Sequence, residues 1–172
     1  MAKYNISNLT DRKSKRLFCR MLNSFRNEYF KGNSPFDIEV AHLDMYEGVV
    51  RHILFSNKTP VGIVECCWGS AFGKVTLGIG TVYIKPKYRG LNIAHDLYNY
   101  FENIAHDADA LFNIQIEKSS FDANRQKFIA MGFTHYEEIK EFSNGADYKE
   151  PTYALFRGHN GINQLQPIMQ VA

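Results

Sequence analysis

With 172 residues, 45% of them hydrophobic and 13 Phe and 10 Tyr among them, the chain has the length of one domain and ample apolar material for a packed core. No apolar stretch approaches the roughly 18 residues of a membrane span, and the polar start MAKYNISNLTDRKSK lacks the h-region of a secretory signal, so neither a membrane nor export is expected. A formal charge of +2 does not by itself point to nucleic acid, and three cysteines, two of them adjacent at Cys66 and Cys67, argue against a disulfide framework. We read the thiols as small buried hydrophobes in a reduced, cytoplasmic setting.

In chain order, Tyr4 to Leu9 alternates as a short strand. Asp11 can cap a helix running to about Tyr29, with Leu17, Met21, Leu22 and Phe25 on one face. Gly32 to Pro35 ends it, and Phe36 to Met45 reads as a second short helix. Val49 to Phe55 and Pro60 to Trp68 flank Ser56-Asn57-Lys58-Thr59, a hairpin by length and turn chemistry, and Lys74 to Ile84 adds a long strand. Next comes a helix from Leu91 to Ala105, with Ile93, Leu97, Phe101 and Ile104 spaced for one buried face, and a strand from Ala110 to Glu117. Phe121 to Met131 reads as a further helix closed by Gly132, followed by strands at His135 to Phe142 and Thr152 to Phe156. Hairpins mixed with crossovers predict an α/β fold with a mixed sheet over residues 1–157, and Gly158 to Ala172 reads as a loose tail.

The most informative stretch is KPKYRGLNIA, Lys85 to Ala94, which joins a strand to a helix. Backbone amides crowded at a helix start and backed by Lys85, Lys87 and Arg89 suit a pyrophosphate, although the same cations also fit a solvated turn. Gly78-Ile79-Gly80 lies inside a strand and lacks a third glycine, which excludes a dinucleotide fingerprint. Arg89-Gly90-Leu91-Asn92-Ile93-Ala94 resembles the cofactor signature of the GNAT superfamily of acyl-CoA N-acyltransferases, in which Arg or Gln is followed after two positions by Gly and after one more by Gly or Ala. Arg89 and Ala94 match, and Asn92 replaces the usual glycine. Asn is the non-glycine residue that best tolerates left-handed backbone geometry. Phe128-Ile129-Ala130-Met131-Gly132-Phe133 resembles the family's aromatic-x-x-x-Gly-Phe ending of the fourth helix.

That resemblance implies a mostly antiparallel central sheet of six to seven strands flanked by about four helices, and acetyl-CoA as donor. It implies binding of the cofactor by Val82, Tyr83, Ile84, Arg89, Gly90, Leu91, Asn92, Ile93 and Ala94, joined by Asn124 and Phe128 of the fourth helix. Gly78 and Gly80 mark a bulge or a close approach, and a pantetheine arm is expected along them. The implied reaction is direct attack of an amine on the thioester in a ternary complex, with a main-chain amide near Tyr83 or Ile84 polarising the carbonyl. The strand before the loop has no carboxylate, which leaves Glu65 and Glu117 as bases, Glu65 first. Phe128 stands where the family has a proton-donating tyrosine, which leaves Tyr136, Ser119, Ser120 or water to serve the departing thiolate, or release without assistance. His52, His95 and His106 show no metal-ligand spacing, and Cys66 and Cys67 have no identifiable activating base.

In the family the acceptor lies between the loop joining the first two helices and the loop joining the last two strands. Asp37, Glu39, Asp44 and Glu47 crowd the first region, and Glu137, Glu138, Glu141, Asp147 and Glu150 the second, which favours a cationic amine such as a polyamine, an amino sugar or a lysine side chain. Arg12, Lys13, Lys15, Arg16, Arg20 and Arg26 make the first helix basic, which we read as a solvated face rather than a nucleic-acid site. Asn92, Phe128 and the missing strand carboxylate also fit a catalytically inactive binding or structural protein on the same fold. The sequence leaves oligomerisation open.

Overall fold

A computed structural model describes residues 4–34, 36–45, 48–139, 151–157 and 165–168. Strands β1 (Asn5–Asn8), β2 (Val49–Ser56), β3 (Thr59–Ala71), β4 (Lys74–Ile84), β5 (Leu111–Glu117), β6 (Phe133–Ile139), β7 (Thr152–Arg157) and β8 (Gln166–Pro167) hydrogen-bond in the order β1-β2-β3-β4-β5-β7-β6-β8. β4 and β5 run parallel, and the β1–β2, β2–β3, β5–β7, β6–β7 and β6–β8 pairs are antiparallel. Four helices accompany them: α1 (Arg12–Tyr29), α2 (Val40–Leu43), α3 (Ile93–Asp107) and α4 (Lys118–Ala130). The sheet thus has eight strands among the described residues rather than six or seven. The chain divides into two compact units, Met1–Cys67 with Thr81–Asp96 and Trp68–Gly80 with Leu97–Ala172.

In the first unit α1 begins where the sequence places it. Asp11 accepts from Ser14 N–H at 2.6 Å, and the Ser14 hydroxyl in turn accepts from Asp11 N–H at 3.1 Å, closing a capping box. Phe18, Cys19, Met21 and Leu22 are buried against Ile53, Ile63 and Tyr83, with Leu17 and Phe25 packed around them. Helix α2 is much shorter than expected. Asn23 of α1 donates to Ile38 O at 3.0 Å and accepts from Ile38 N–H at 2.7 Å, so the chain before Glu39 is tied to α1 by a side-chain amide instead of coiling on itself. β2 and β3 turn over Asn57 at φ 55°, as the hairpin reading requires.

The end of β4 joins this unit through Lys85 N–H, which donates to Val61 O at 2.9 Å. Gly62 makes that approach possible: a Cβ there would lie 2.7 Å from both Tyr83 O and Ile84 Cδ1.

The second unit contains the β3–β4 turn, Phe72 at φ 55° and Gly73 at φ 73°, a pair of left-handed residues that matches strand twist. α4 ends at Met131 with Gly132 left-handed at φ 88°, as read from the sequence, but Asn124 at φ −127° breaks the helix inside. Of the stretch read as a loose tail, Leu165–Ile168 packs: Leu165 and Ile168 are buried, Gln166 and Pro167 pair with β6, and Ile168 N–H donates to Thr134 O at 2.8 Å. Lys140 to Phe142, the end of the expected sixth strand, lie outside the described residues.

Gly62→Ala is expected to destabilise the protein by about 1–3 kcal/mol, because the new methyl meets main chain that has no rotamer to change; urea unfolding of the two proteins measures the difference.

Candidate functional site

The loop after β4 is built from short-range constraints. Pro86–Tyr88 form a single 3-10 turn, and Arg89 N–H donates to Pro86 O at 3.1 Å. Gly90 at φ 78° and Asn92 at φ 59° are both left-handed, with extended or helical chain around them. The first α-helical hydrogen bond of α3 runs from Asp96 N–H to Asn92 O at 3.0 Å, so the amides of Asn92, Ile93, Ala94 and His95 precede any intrahelical acceptor. A Cβ on Gly90 would meet nothing within 4 Å. Main-chain donors at an open, left-handed helix start fit a polyanion such as a pyrophosphate.

Arg89 plays a part that the sequence reading did not foresee. Its guanidinium grips Glu28 through two contacts, Nη1 to Oε1 at 2.6 Å and Nη2 to Oε2 at 2.7 Å, while Nε donates to Ile84 O at 2.9 Å. The same group lies 5.8 Å from the Tyr83 ring centroid. Arg89 therefore ties the last residues of α1, β4 and the loop together. The hydrogen bond from Arg89 holds the Glu28 carboxyl below its ordinary value, and that from Glu28 raises the guanidinium further. Lys87 stands over the Tyr88 ring, and Lys85 is half-buried.

Tyr83 is buried in the α1 core, its ring centroid 5.9 Å from that of Phe25, and burial pushes its hydroxyl up. Its side chain is a packing element, and its main chain is what remains to act. Val82 beside it is half-buried and Ile84 is buried against Gly62. Glu65 faces Arg51 across the β2–β3 ladder, with Arg51 Nε to Glu65 Oε1 at 2.8 Å and Arg51 Nη1 to Leu43 O, the last carbonyl of α2, also at 2.8 Å. The carboxylate is thus fixed in place from the far end by a main-chain anchor.

Asn124, Phe128 and Tyr136 belong to the second unit. Asn124 Nδ2 donates to Ser120 O at 3.0 Å and its Oδ1 accepts from Lys127 at 2.9 Å, so the amide stabilises the break in α4. Phe128 is buried, stacked on Phe121 and edge-on to Phe133. Tyr136 is half-buried between Phe121 at 5.7 Å and Tyr153 at 5.0 Å. Burial raises Tyr153 above its ordinary value. The pantetheine arm expected along Gly78 meets a filled space: Asn113, opposite in β5, puts Oδ1 3.0 Å from where a Cβ of Gly78 would stand, and Gln115 Oε1 is 3.7 Å from that of Gly80. The glycines admit these β5 side chains.

All three thiols are held protonated. Burial pushes Cys66 up to about 12 and raises Cys19 and Cys67. Among the acidic residues, Asp44 is paired with Lys15 at 2.7 Å, Asp37 and Glu39 are exposed, and Glu137 and Glu138 lie on β6; Glu47, Glu141, Asp147 and Glu150 lie outside the described residues. Glu28 and Gly62 were missed. Gly62 carries the same signal as Gly78, a glycine inside a β-favouring run, whereas nothing in α1 singles out Glu28 from a solvated carboxylate.

Residues 18–133 match the family model for the acetyltransferase (GNAT) family. Curated protein sequences give no match. Solved structures share the fold: Arabidopsis thaliana Naa50 in complex with the bisubstrate analogue CoA-Ac-MVNAL, 15% identical with a TM-score of 0.58, covering 92% of this chain and 100% of that one. An aminoglycoside acetyltransferase, meta-AAC0020, from an uncultured soil metagenomic sample and in complex with sisomicin, is 13% identical with a TM-score of 0.63, covering 86% and 97%. An acetyltransferase from Thermus thermophilus is 14% identical with a TM-score of 0.62, covering 96% and 97%.

Glu28→Gln is expected to lower the melting temperature near neutral pH. A carboxyl held low in the folded state stabilises above its unfolded value, ordinarily about 4.5, and the stabilisation is lost as pH falls through the lower folded value. The gap between wild-type and variant melting curves therefore closes on acidification from pH 6 to pH 3. Native protein at pH 7.5 is expected to react with iodoacetamide far more slowly than after unfolding in urea, measured by mass shift.

Proposed function

Because the chain belongs to the GNAT acetyltransferase family, we propose that it transfers an acetyl group from acetyl-CoA to a primary amine by direct attack within a ternary complex. The observation that carries this reading is the left-handed pair Gly90 and Asn92 in front of α3, where the amides of residues 92–95 precede any intrahelical acceptor. Asn92 replaces the family's glycine without leaving the backbone region that the glycine serves. Residues 89–94 would hold the pyrophosphate through main-chain nitrogen, with Arg89 bracing the loop from behind, and Val82 to Ile84 would pair with the pantetheine amides. Acetyl-CoA supplies an activated thioester carbonyl, and a main-chain amide at Tyr83 or Ile84 stabilises the charge that develops on its oxygen.

In the transfer the amine lone pair forms the new C–N bond, the C–S bond breaks, and its electron pair leaves on sulfur. Glu65, anchored by Arg51, takes the proton lost by the amine through water. Tyr136 or solvent returns a proton to the thiolate, whose own pKa near 8.5 makes it a tolerable leaving group. The raised cysteine values support a route without a thiol acyl-enzyme. The described exposed carboxylates Asp37 and Glu39 favour a cationic acceptor. Residues 1–157 would form the transferase domain, with the packed Leu165–Ile168 stretch attached to it.

A second reading, cofactor binding without turnover, is favoured by one observation: Phe128 is part of the aromatic packing and offers no proton. Calorimetry with acetyl-CoA followed by thiol release against peptide, aminoglycoside and polyamine acceptors separates the two. Micromolar binding with release supports the transferase, binding with no release supports the second reading, and no binding overturns both. Asn92→Gly is expected to bind acetyl-CoA as tightly as wild type or tighter. Asn92→Val is expected to weaken it about tenfold, because a β-branched residue resists left-handed geometry by roughly 1–2 kcal/mol.

A further inference from the structure

The last two turns of α1 carry an aromatic strip that lies wholly within the first unit. Tyr83 meets Phe25 at 5.9 Å between ring centroids, Phe25 meets Tyr29 at 6.0 Å, and Tyr29 meets Phe30 at 5.0 Å. The Arg26 guanidinium continues the strip, its Cζ 5.5 Å from the Phe30 centroid and 4.9 Å from that of Phe36. Tyr29 is 49% and Phe36 55% exposed, so the strip is open to solvent. Phe36 is held in place from both sides. Lys31 and Gly32, left-handed at φ 51° and 83°, reverse the chain after α1, and Asn23 takes both main-chain groups of Ile38.

Arg26 differs from the other cations of its helix. Arg12, Lys13, Arg16 and Arg20 are exposed, where water serves them, whereas Arg26 is half-buried. It has no ion pair or hydrogen bond among the described residues, and its Nε is buried without a partner. Aromatic rings engage a guanidinium through its flat face and leave the N–H donors, which point within the plane, unused. A cation placed in this way calls for a planar anion, and a carboxylate matches its fork. The exposed aromatic surface beside it calls for an apolar body.

We propose that Arg26, with Tyr29 and Phe36 beside it, holds the carboxylate and the apolar side chain of a zwitterionic acceptor, an apolar amino acid, whose ammonium the exposed Asp37 and Glu39 attract. This rests on the amine-acyltransferase reading above and narrows the acceptor from any cationic amine to one that also carries an anion. The strip begins at Tyr83, whose main chain is a proposed donor to the thioester carbonyl, so recognition needs no residue outside the first unit. A polyamine would set a like charge against Arg26, and such a mismatch is a means of rejection. Arg26 is a specificity residue here and touches no reacting atom.

The test measures L-leucine and L-phenylalanine against their amides, which keep the amine and the side chain but lose the carboxylate, with spermidine as a purely cationic amine. Binding to the full chain is read by calorimetry with and without CoA, and transfer by thiol release with acetyl-CoA. Wild type is expected to favour the two acids over their amides by about tenfold, in binding and in kcat/KM, and over spermidine by at least as much. In Arg26→Gln the ratio of acid to amide is expected to fall to within about twofold of unity, mostly through KM. In Arg26→Lys it is expected to fall only in part, because the charge remains without the planar fork. Each ratio is taken within one protein preparation, so a smaller folded fraction cancels. Equal use of acids and amides by wild type, a preference that survives in Arg26→Gln, or absence of binding by both acids overturns the proposal. Failure of the transferase reading looks different: acetyl-CoA then neither binds nor releases thiol, while the binding arm without CoA still decides the carboxylate site.

Discussion

The first unit depends on a single guanidinium. Arg89 faces Glu28 with two nitrogens and caps Ile84 O with the third, so three segments distant in sequence are fixed by one side chain. A lysine offers a point charge and no planar fork, and would leave either the carboxylate or the carbonyl unserved. Both partners are nearly half exposed, at 46% and 45%, so the ion pair itself adds only a small increment of stability, of the size that a modest shift in melting reports. Its value is geometric: it sets where the loop leaves β4, and the left-handed residues that follow decide which way the amides point. The family signature begins with Arg or Gln, and here that position braces the loop against Glu28 of α1 and Ile84 of β4.

Gly62 imposes the complementary constraint. Arg89 pulls the end of β4 from one side, and the missing Cβ at position 62 lets Tyr83 O and Ile84 settle on β3 from the other. Tyr83 then has nowhere to put its ring except among Phe25 and the α1 core, where burial raises its hydroxyl and removes it from acid–base work near neutral pH. The Arg51–Glu65 pair is built similarly: Arg51 bonds Leu43 O as well as the carboxylate, so the position of α2 and that of Glu65 are coupled.

Local signals in the sequence were strong where a residue's own neighbours determine its conformation. The Asp11 cap, the Asn57 turn, Gly132 after α4 and the left-handed tolerance of Asn92 all depend on residues within four positions, and all stand in the structure. The signals failed where a distant partner decides. Phe36 to Met45 has enough apolar periodicity for a helix, but Asn23 takes both main-chain groups of Ile38 and leaves one turn. The polar, Gln-rich C-terminal stretch has no periodicity, yet Leu165 and Ile168 find an apolar seat and Gln166 pairs with β6. The Glu28–Arg89 contact spans 61 positions, and composition cannot encode such a choice among 18 acidic residues.

Glycines inside strands illustrate why legibility of a site is partial. Gly62, Gly78 and Gly80 look alike in sequence, each a gap in a β-favouring run. At Gly62 the gap is filled by main chain and an Ile side chain, at Gly78 by the Asn113 amide, and at Gly80 the nearest atom is an amide oxygen at ordinary contact distance. A missing Cβ announces that something approaches; the register of the neighbouring strand decides what. Because Gly78 stands opposite Asn113 in a parallel ladder, the approach is by a polar side chain whose oxygen has no hydrogen-bond partner among the described residues. A pair of strand glycines thus makes room for amide side chains of the neighbouring strand, a role that the register assigns and the glycines alone do not reveal.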